Sequence, residues 1–475
     1  MTPPCCGAGS LLPQSQEADV GPRVARPGAG RSPRLERPGF PGAPGAGADL
    51  PRADHALLLR LQHRALRYFL DNQTPGGLVL DRQRNRGPRR GRGLCSTAAT
   101  GMGFIALALA AGPPYRLLTP RAAALRVRAG LEAALGRLPS DHGVLPHFVD
   151  SATGAVVGSD PFSTVETSWL AAGALWAAAF LRDPELEALA ARLYDRIDWR
   201  FWAGPRGTGA AGLLRHGKDE GGRFLASRWD RLNGETAFMY VLAAGAAGER
   251  SLPAASWSAL RPFHGSVAGL RFRSADLGLF VFQYGLDLLD LKRWRAPGGV
   301  ALWAEARVAT RANRRACRQA AARFTTYRRF WGLSAGDGPG GPPATDTYRT
   351  YSPLGPIDGT AHLTASLAAV AHCPQAVVRN LREAGHDRRL GALGRYGFSN
   401  VNLDRHWVGR DMVGIDAGAA VLALDNYLAA DRVRAVFHSL SCVRRALGRL
   451  GFAPRARPPA GATDSDPPPA IRRAS

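Results

Sequence analysis

With 475 residues, 45% of them hydrophobic, the chain can bury a large core, and no run in it reaches the ~18 apolar residues of a membrane span. The formal charge of +24 comes from 62 basic against 38 acidic residues, but lysine stands only at Lys218 and Lys292 and the arginines are spread evenly with Ala, Gly and Pro in excess, which reads as coding bias and argues against a nucleic-acid face of clustered bases and stacking aromatics. Six cysteines without a CxxC pair, histidines without HxH or HExxH spacing and the lack of a phosphate-cradling glycine loop argue against a zinc site and imply no metal or organic cofactor.

Residues 1 to about 50 are rich in Pro, Gly and Arg without apolar periodicity, and are expected to be disordered, because they bury too little apolar surface to offset the entropy of ordering. The N-terminus has no apolar core of a secretory signal, which points to the cytoplasm; a mis-assigned start codon would hide one and point to the periplasm. The body, 51–453, is dominated by helical patterns. Leu57, Leu58, Leu61, Leu66 and Phe69 form an apolar stripe after Asp54. A small-residue helix follows from about Ser96 to Ala111, with Ser96 and Thr97 as caps, and a third starts near Thr119 with Pro120 at its first position. Further patterns run over about 164–181, 184–197, 229–245, 279–293, 299–326, 360–373, 374–387, 412–429 and 431–449. Twelve helices pair as six hairpins, the content of an all-α, (α/α)6 toroid, and no fixed-period repeat points to a solenoid instead. Long segments at 141–163, 199–228, 251–278, 328–359 and 388–411 carry Trp, Tyr, His and Asp rather than linker composition, as functional loops do. The tail, 454–475, reads like the N-terminal segment. Nothing in the sequence sets an oligomeric state.

Carboxylates at the starts of apolar helices are the candidate chemistry. Glu166 follows Ser163 at capping-box spacing, and on local sequence alone capping outweighs a site role. Glu235 precedes the run Ala237–Ala244, with Asp230 or Asn233 as the cap, and a first-turn glutamate is favoured by the helix dipole in any case. Asp416 enters the helix up to Leu428 in the same manner. Phe330 and Trp331 stand before Asp337 on a glycine-rich segment, an aromatic platform beside an acid, although Asp-Gly-Pro-Gly is also ordinary turn sequence. Two carboxyl groups facing one cleft are what cleavage of a glycosidic bond needs, one to protonate the leaving oxygen and one to activate water or attack.

Collinear segments make this reading specific: YFLDNQTPGGLVLDR (68–82), CSTAATGMGFIALALA (95–110), LPHFVDSATGAVVGSDPFSTVETSWLAAGAL (145–175), RWDRLNGETAFMYVLAAG (228–245), LGLFVFQYGLDLLDLK (277–292), WGLSAGDGPGG (331–341), DGTAHLTAS (358–366) and GIDAGAAVLALDNY (414–427). In this order they resemble the glycoamylase-like family of bacterial proteins, which includes endo-β-1,2-glucanases and domains of cyclic β-1,2-glucan synthases. The resemblance covers most of 65–450. It implies an (α/α)6 toroid, hydrolysis of a glucan, an oligo- or polysaccharide as partner, and Glu166, Glu235 and Asp416 as catalytic candidates, for which a carboxylate pair acting with inversion is the preferred reading. It places His147, Asp150, Arg228, Trp229, Asp230, Trp331 and Asp337 in loops that line the pocket. The chain departs from the family at Phe162, at Gly285-Leu286 where the family tends to carry Ser-His, and at Ala361-His362-Leu363. An altered substrate, or a catalytically impaired carbohydrate-binding or synthase-associated relative, is the alternative these departures raise.

Overall fold

The computed structural model describes residues 50–158, 162–203, 212–275, 278–340 and 346–455. Apart from a few residues at the edges of the body, the two segments expected to be disordered lie outside this set, as do Ser159, Asp160 and Pro161. Sixteen helices occur among the described residues: α1 (Arg52–Asn72), α2 (Thr97–Ala111), α3 (Pro120–Gly136), α4 (Thr164–Leu181), α5 (Pro184–Asp195), α6 (Trp199–Ala203), α7 (Gly234–Gly245), α8 (Ala254–Ser258), α9 (Leu279–Gln283), α10 (Leu302–Gln319), α11 (Thr326–Arg329), α12 (Leu363–Ala368), α13 (Pro374–His386), α14 (Gly414–Leu428), α15 (Arg432–Ser439) and α16 (Ser441–Leu450).

Their packing closes on itself. Helix α2 lies on α4, α4 on α7, α7 on α9, α9 on α12, α12 on α14, and α14 returns to α2. A second set lies against this one: α1 on α14, α3 on α2, α5 on α4, α16 on α7, α10 on α9 and α13 on α12. The sequence accounts for the two roles. Helices α2 and α4 are apolar all round, as helices covered on every side must be, whereas α10, α13 and α16 carry an apolar stripe and a charged face. Glycines set the tightest contact. A Cβ on Gly173 would stand 1.9 Å from the Gly101 carbonyl oxygen, and one on Gly101 2.2 Å from that of Trp169, so α2 and α4 meet backbone to backbone. No described helix is long and apolar enough to cross a membrane.

Ser96 caps α2 as expected, its hydroxyl accepting from the Ala99 amide, whereas Thr97 lies inside the helix and its hydroxyl donates to the Pro146 carbonyl; Thr119 caps α3 with Pro120 at its first position, and Asn233 rather than Asp230 caps α7, accepting from the Thr236 amide. Several boundaries differ from the periodicity. The stretch 279–293 is not one helix. It breaks after Gln283 into a 3-10 turn, because Gly285 lies directly on the start of α7, where its Cβ would come within 1.8 Å of the Gly234 oxygen. The stretch 431–449 divides at Leu440, whose extended backbone turns α16 onto α7. Helix α7 starts only at Gly234, since Arg231–Leu232 is extended and pairs with Arg261–Pro262. The helix at 360–373 is confined to α12.

The structure is also not purely helical. The connecting segments contain short strands: Leu94–Ser96 pairs with Phe148–Asp150, Arg82–Arg84 with Asp411–Val413, Phe162–Ser163 with Gly217–Lys218, and Ala335–Pro339 with Asp346–Thr350. Loops brought together over the helix starts satisfy their backbone donors and acceptors on one another, as buried backbone must.

Candidate active site

Three inner helices, α4, α7 and α14, each carry one acid in the first turn: Glu166, Glu235 and Asp416. Glu166 does not form the capping box that its spacing suggests, since Ser163 makes no side-chain cap. Its Oε2 instead accepts from the Ala98 amide at 3.0 Å, in the first turn of the neighbouring α2, and its Oε1 lies 3.3 Å from His147 Nε2. The backbone contact of α2 with α4 is what brings that amide within reach. His147 is itself stacked on Phe148 at 3.8 Å.

Glu235 lies across the α4–α7 contact, where Trp169 Nε1 donates to its Oε1 at 3.4 Å. Burial pushes its carboxyl up to about 7; the indole hydrogen bond works against this, and the nearby charge of Glu166 adds to it. Asp416 accepts from the Tyr284 hydroxyl at 2.8 Å. Burial raises it too, to about 7, against that hydrogen bond and with a further push from Asp337. Burial and then Asp416 drive the Tyr284 hydroxyl well above its ordinary range, so it remains a donor; the charge of Glu235 also reaches it. Glu166 thus acts on Glu235, while Glu235 and Asp416 both act on the Tyr284 hydroxyl.

Asp337 joins them. With Asp416, Asn400 and Asp411 it lines a small cavity, and Arg82 Nη1 bonds both of its carboxylate oxygens at 3.1 Å. Its segment is not a turn. Ala335–Pro339 is a strand, and glycine is required there because a Cβ on Gly338 would fall 2.1 Å from the Tyr351 hydroxyl. Trp229 borders the start of α4, with Nε1 donating to Thr164 Oγ1 at 3.0 Å and its ring stacked on His216 at 4.0 Å.

Other residues expected to line the pocket have structural partners. Asp150 holds the turn that follows it, accepting from the Ala152 and Thr153 amides and the Thr153 hydroxyl. Asp230 is ion-paired with Arg261. Arg228 donates to the carbonyls of Ala203 and Leu213. Trp331 and Phe330 are buried, Trp331 against α13 through Asn380 and the Ala376 carbonyl, so this aromatic pair offers no open face to a sugar. Tyr284, Arg82 and Trp169 were not singled out from sequence, although Tyr284 closes the FVFQY segment and Arg82 ends the first collinear one. Gly285, read as an altered cleft residue, is a packing contact. Among the described residues no group of His, Cys, Asp and Glu could hold a metal ion.

Comparison with known proteins agrees with the resemblance drawn from the sequence. Residues 226–441 match the Glycoamylase family, described as putative glucoamylase. No curated protein matches by sequence. Among solved structures, a putative glucoamylase from Bacteroides uniformis superposes with a TM-score of 0.74 at 20% identity over 86% of this chain and 99% of its own. An endo-β-1,2-glucanase from Chitinophaga pinensis, in complex with sophorotriose and glucose, gives 0.74 at 19% identity over 84% and 98%. An endo-β-1,2-glucanase from Talaromyces funiculosus, in complex with sophorose, gives 0.57 at 12% identity over 84% and 90%. At these identities the likeness establishes a shared helix-rich fold.

Proposed function

We propose that this chain, with its glycoamylase match over residues 226–441, is an inverting glycoside hydrolase acting on a glucan, built on an (α/α)6 toroid. One juxtaposition supports the reading: Glu235 and Asp416 stand in the first turns of two inner helices, the charges of both act on the Tyr284 hydroxyl, and burial brings both to about 7. A carboxyl that keeps its proton near neutrality can donate it to a leaving glycosidic oxygen, and acid–base catalysis works best when the pKa lies near the working pH. Glu235 is assigned this role. Glu166, engaged by His147 and the Ala98 amide, places a like charge nearby that helps Glu235 hold its proton. Asp416 is the base on the water side, oriented by the Tyr284 hydroxyl. β-1,2-Glucan is the first substrate to test, because endo-β-1,2-glucanases from two organisms share the fold.

Purified protein assayed on a panel of β-1,2-, β-1,3-, β-1,4- and α-1,4-glucans tests the proposal. Glu235→Gln and Asp416→Asn should each lower turnover by ~10²–10⁴-fold. Unchanged turnover in either variant removes that residue from the mechanism. Binding of a glucan by the unmodified protein with no cleavage of any panel member would favour a non-catalytic carbohydrate-binding relative.

A further inference from the structure

We propose that Tyr348, together with the Arg82–Asp337 pair, forms a sugar subsite on the Asp416 side of the cleft: the ring stacks on a gluco-configured pyranose and the ion pair holds its neighbouring hydroxyls. The inference rests on the hydrolase reading above.

Register comes first. Tyr348 lies directly opposite Asp337 in the antiparallel pair Ala335–Pro339 with Asp346–Thr350. Opposed residues of such a pair project to the same face, and Asp337 projects into the cavity it shares with Asp416. Tyr348 therefore stands on the cleft side of the hairpin, where the charges of Asp416, Asp81, Asp337 and Glu235 all act on its hydroxyl. The hydroxyl is buried, but Tyr348 as a residue is 46% exposed, and it is the one aromatic among the strongly exposed large apolar residues described. An open aromatic face beside acids suits a glucopyranose, whose axial C–H bonds make both ring faces apolar while its equatorial hydroxyls point outward.

Arg82 supplies the polar half. Its Nε donates to Asp81 at 2.9 Å and its Nη1 to Asp337, while Nη2 has no hydrogen-bond partner among the described residues. A guanidinium has five donors in a fixed fork, so a free amino group on a side chain one-third exposed is ready to donate to a hydroxyl. The carboxylate of Asp337, with lone pairs to spare, accepts from the adjacent one. The hairpin is seated firmly: the Asp337 carbonyl accepts from Asn400 Nδ2 at 3.1 Å, and a Cβ on Gly336 would come within 2.8 Å of the His362 ring. A platform fixed in advance loses little entropy when the sugar binds.

Calorimetric titration of the Glu235→Gln protein with β-1,2-linked gluco-oligosaccharides measures binding without turnover. Adding Tyr348→Ala should weaken binding about tenfold, Tyr348→Leu about as much, and Tyr348→Phe less than about twofold, as expected for a stacking face. Arg82→Met should weaken binding comparably. In otherwise unmodified protein, Tyr348→Leu should raise KM more than it lowers kcat. Unaltered affinity in both Tyr348→Ala and Tyr348→Leu, in a protein that cleaves glucan, overturns the subsite and leaves the hydrolase reading standing. A protein that neither binds nor cleaves any glucan overturns both.

Discussion

The pKa of Asp416 is set by two opposed effects: burial lifts it to about 7, and the Tyr284 hydroxyl, donating at 2.8 Å, holds it down. Tyr284→Phe removes only the second. A hydrogen bond to a charged group contributes about 1.5–3 kcal/mol, and 1.36 kcal/mol corresponds to one pH unit, so the pKa of Asp416 should rise by about one to two units. A base acts when ionised, and the acidic limb of kcat/KM should therefore move to higher pH by that amount. Glu235 must stay protonated and lies at about 7 itself. The fraction of molecules in the active protonation state then shrinks, and the maximum should fall about tenfold. A pH–rate profile from 5 to 9 checks this, and an unmoved acidic limb would mean that it belongs to another group. The acids were legible in the sequence as first-turn residues of apolar helices. Their partners were not. That Glu166 engages α2 rather than its own helix, or that Tyr284 faces Asp416 across 132 residues of chain, depends on which helices become neighbours.

Helices were the legible part at the next scale, with small-residue and amphipathic patterns separating those covered on all sides from those with a solvent face. The helix-to-helix distance was not legible, because a glycine within a helical pattern does not announce what lies against it. Gly101 and Gly173 are where it matters most. Gly173→Ala would set a methyl group 1.9 Å from the Gly101 oxygen, against backbone that cannot rotate away, and α4 must shift. The expected cost is about 1–3 kcal/mol, the usual range for overpacking. Because α2 supplies the amide that holds Glu166, turnover should fall as well. Thermal melting and kinetics of the purified variant measure both. Gly136→Ala, at the end of α3 with nothing within 4 Å of the added methyl, is the matched control and should leave both nearly unchanged. Short strands in the connecting segments escaped the sequence for a related reason: two or three residues carry too little period-2 pattern, and their pairing is created by loops meeting over the helix starts.

For the molecule as a whole, stability against acid depends on buried groups of opposite sense. His372 and His438 are driven down to about 3 and about 4, first by burial; the buried Arg434 lowers both, with Lys292 acting as well on His372 and Arg293 on His438. In the unfolded chain both take up protons below about 6.5. Between about 6.5 and 4 the unfolded state therefore binds more protons than the native state, and the histidine contribution to stability is lost as pH falls through this window. Glu235 and Asp416 run the other way. Their native values of about 7 lie above the ordinary carboxyl range, so the native state holds the extra protons, and their contribution falls as pH rises toward 7. In the unmodified protein the two slopes partly cancel. Replacing both acids, as Glu235→Gln with Asp416→Asn, should raise the melting temperature above pH 7 and expose a steeper decline from pH 6.5 to 4. Adding His372→Leu should flatten that decline. Its ring packs edge-on against Trp303 at 4.7 Å, so leucine suits the apolar side, and Thr310, 3.1 Å from Nδ1, keeps its bond to the Ala306 carbonyl. Melting temperatures at half-unit steps across pH 4–8 resolve the three proteins. An undiminished acid slope after His372→Leu would show that this histidine does not set acid stability, leaving His438, His362 (likewise driven down to about 4 by burial) and the ion-paired carboxylates to account for it.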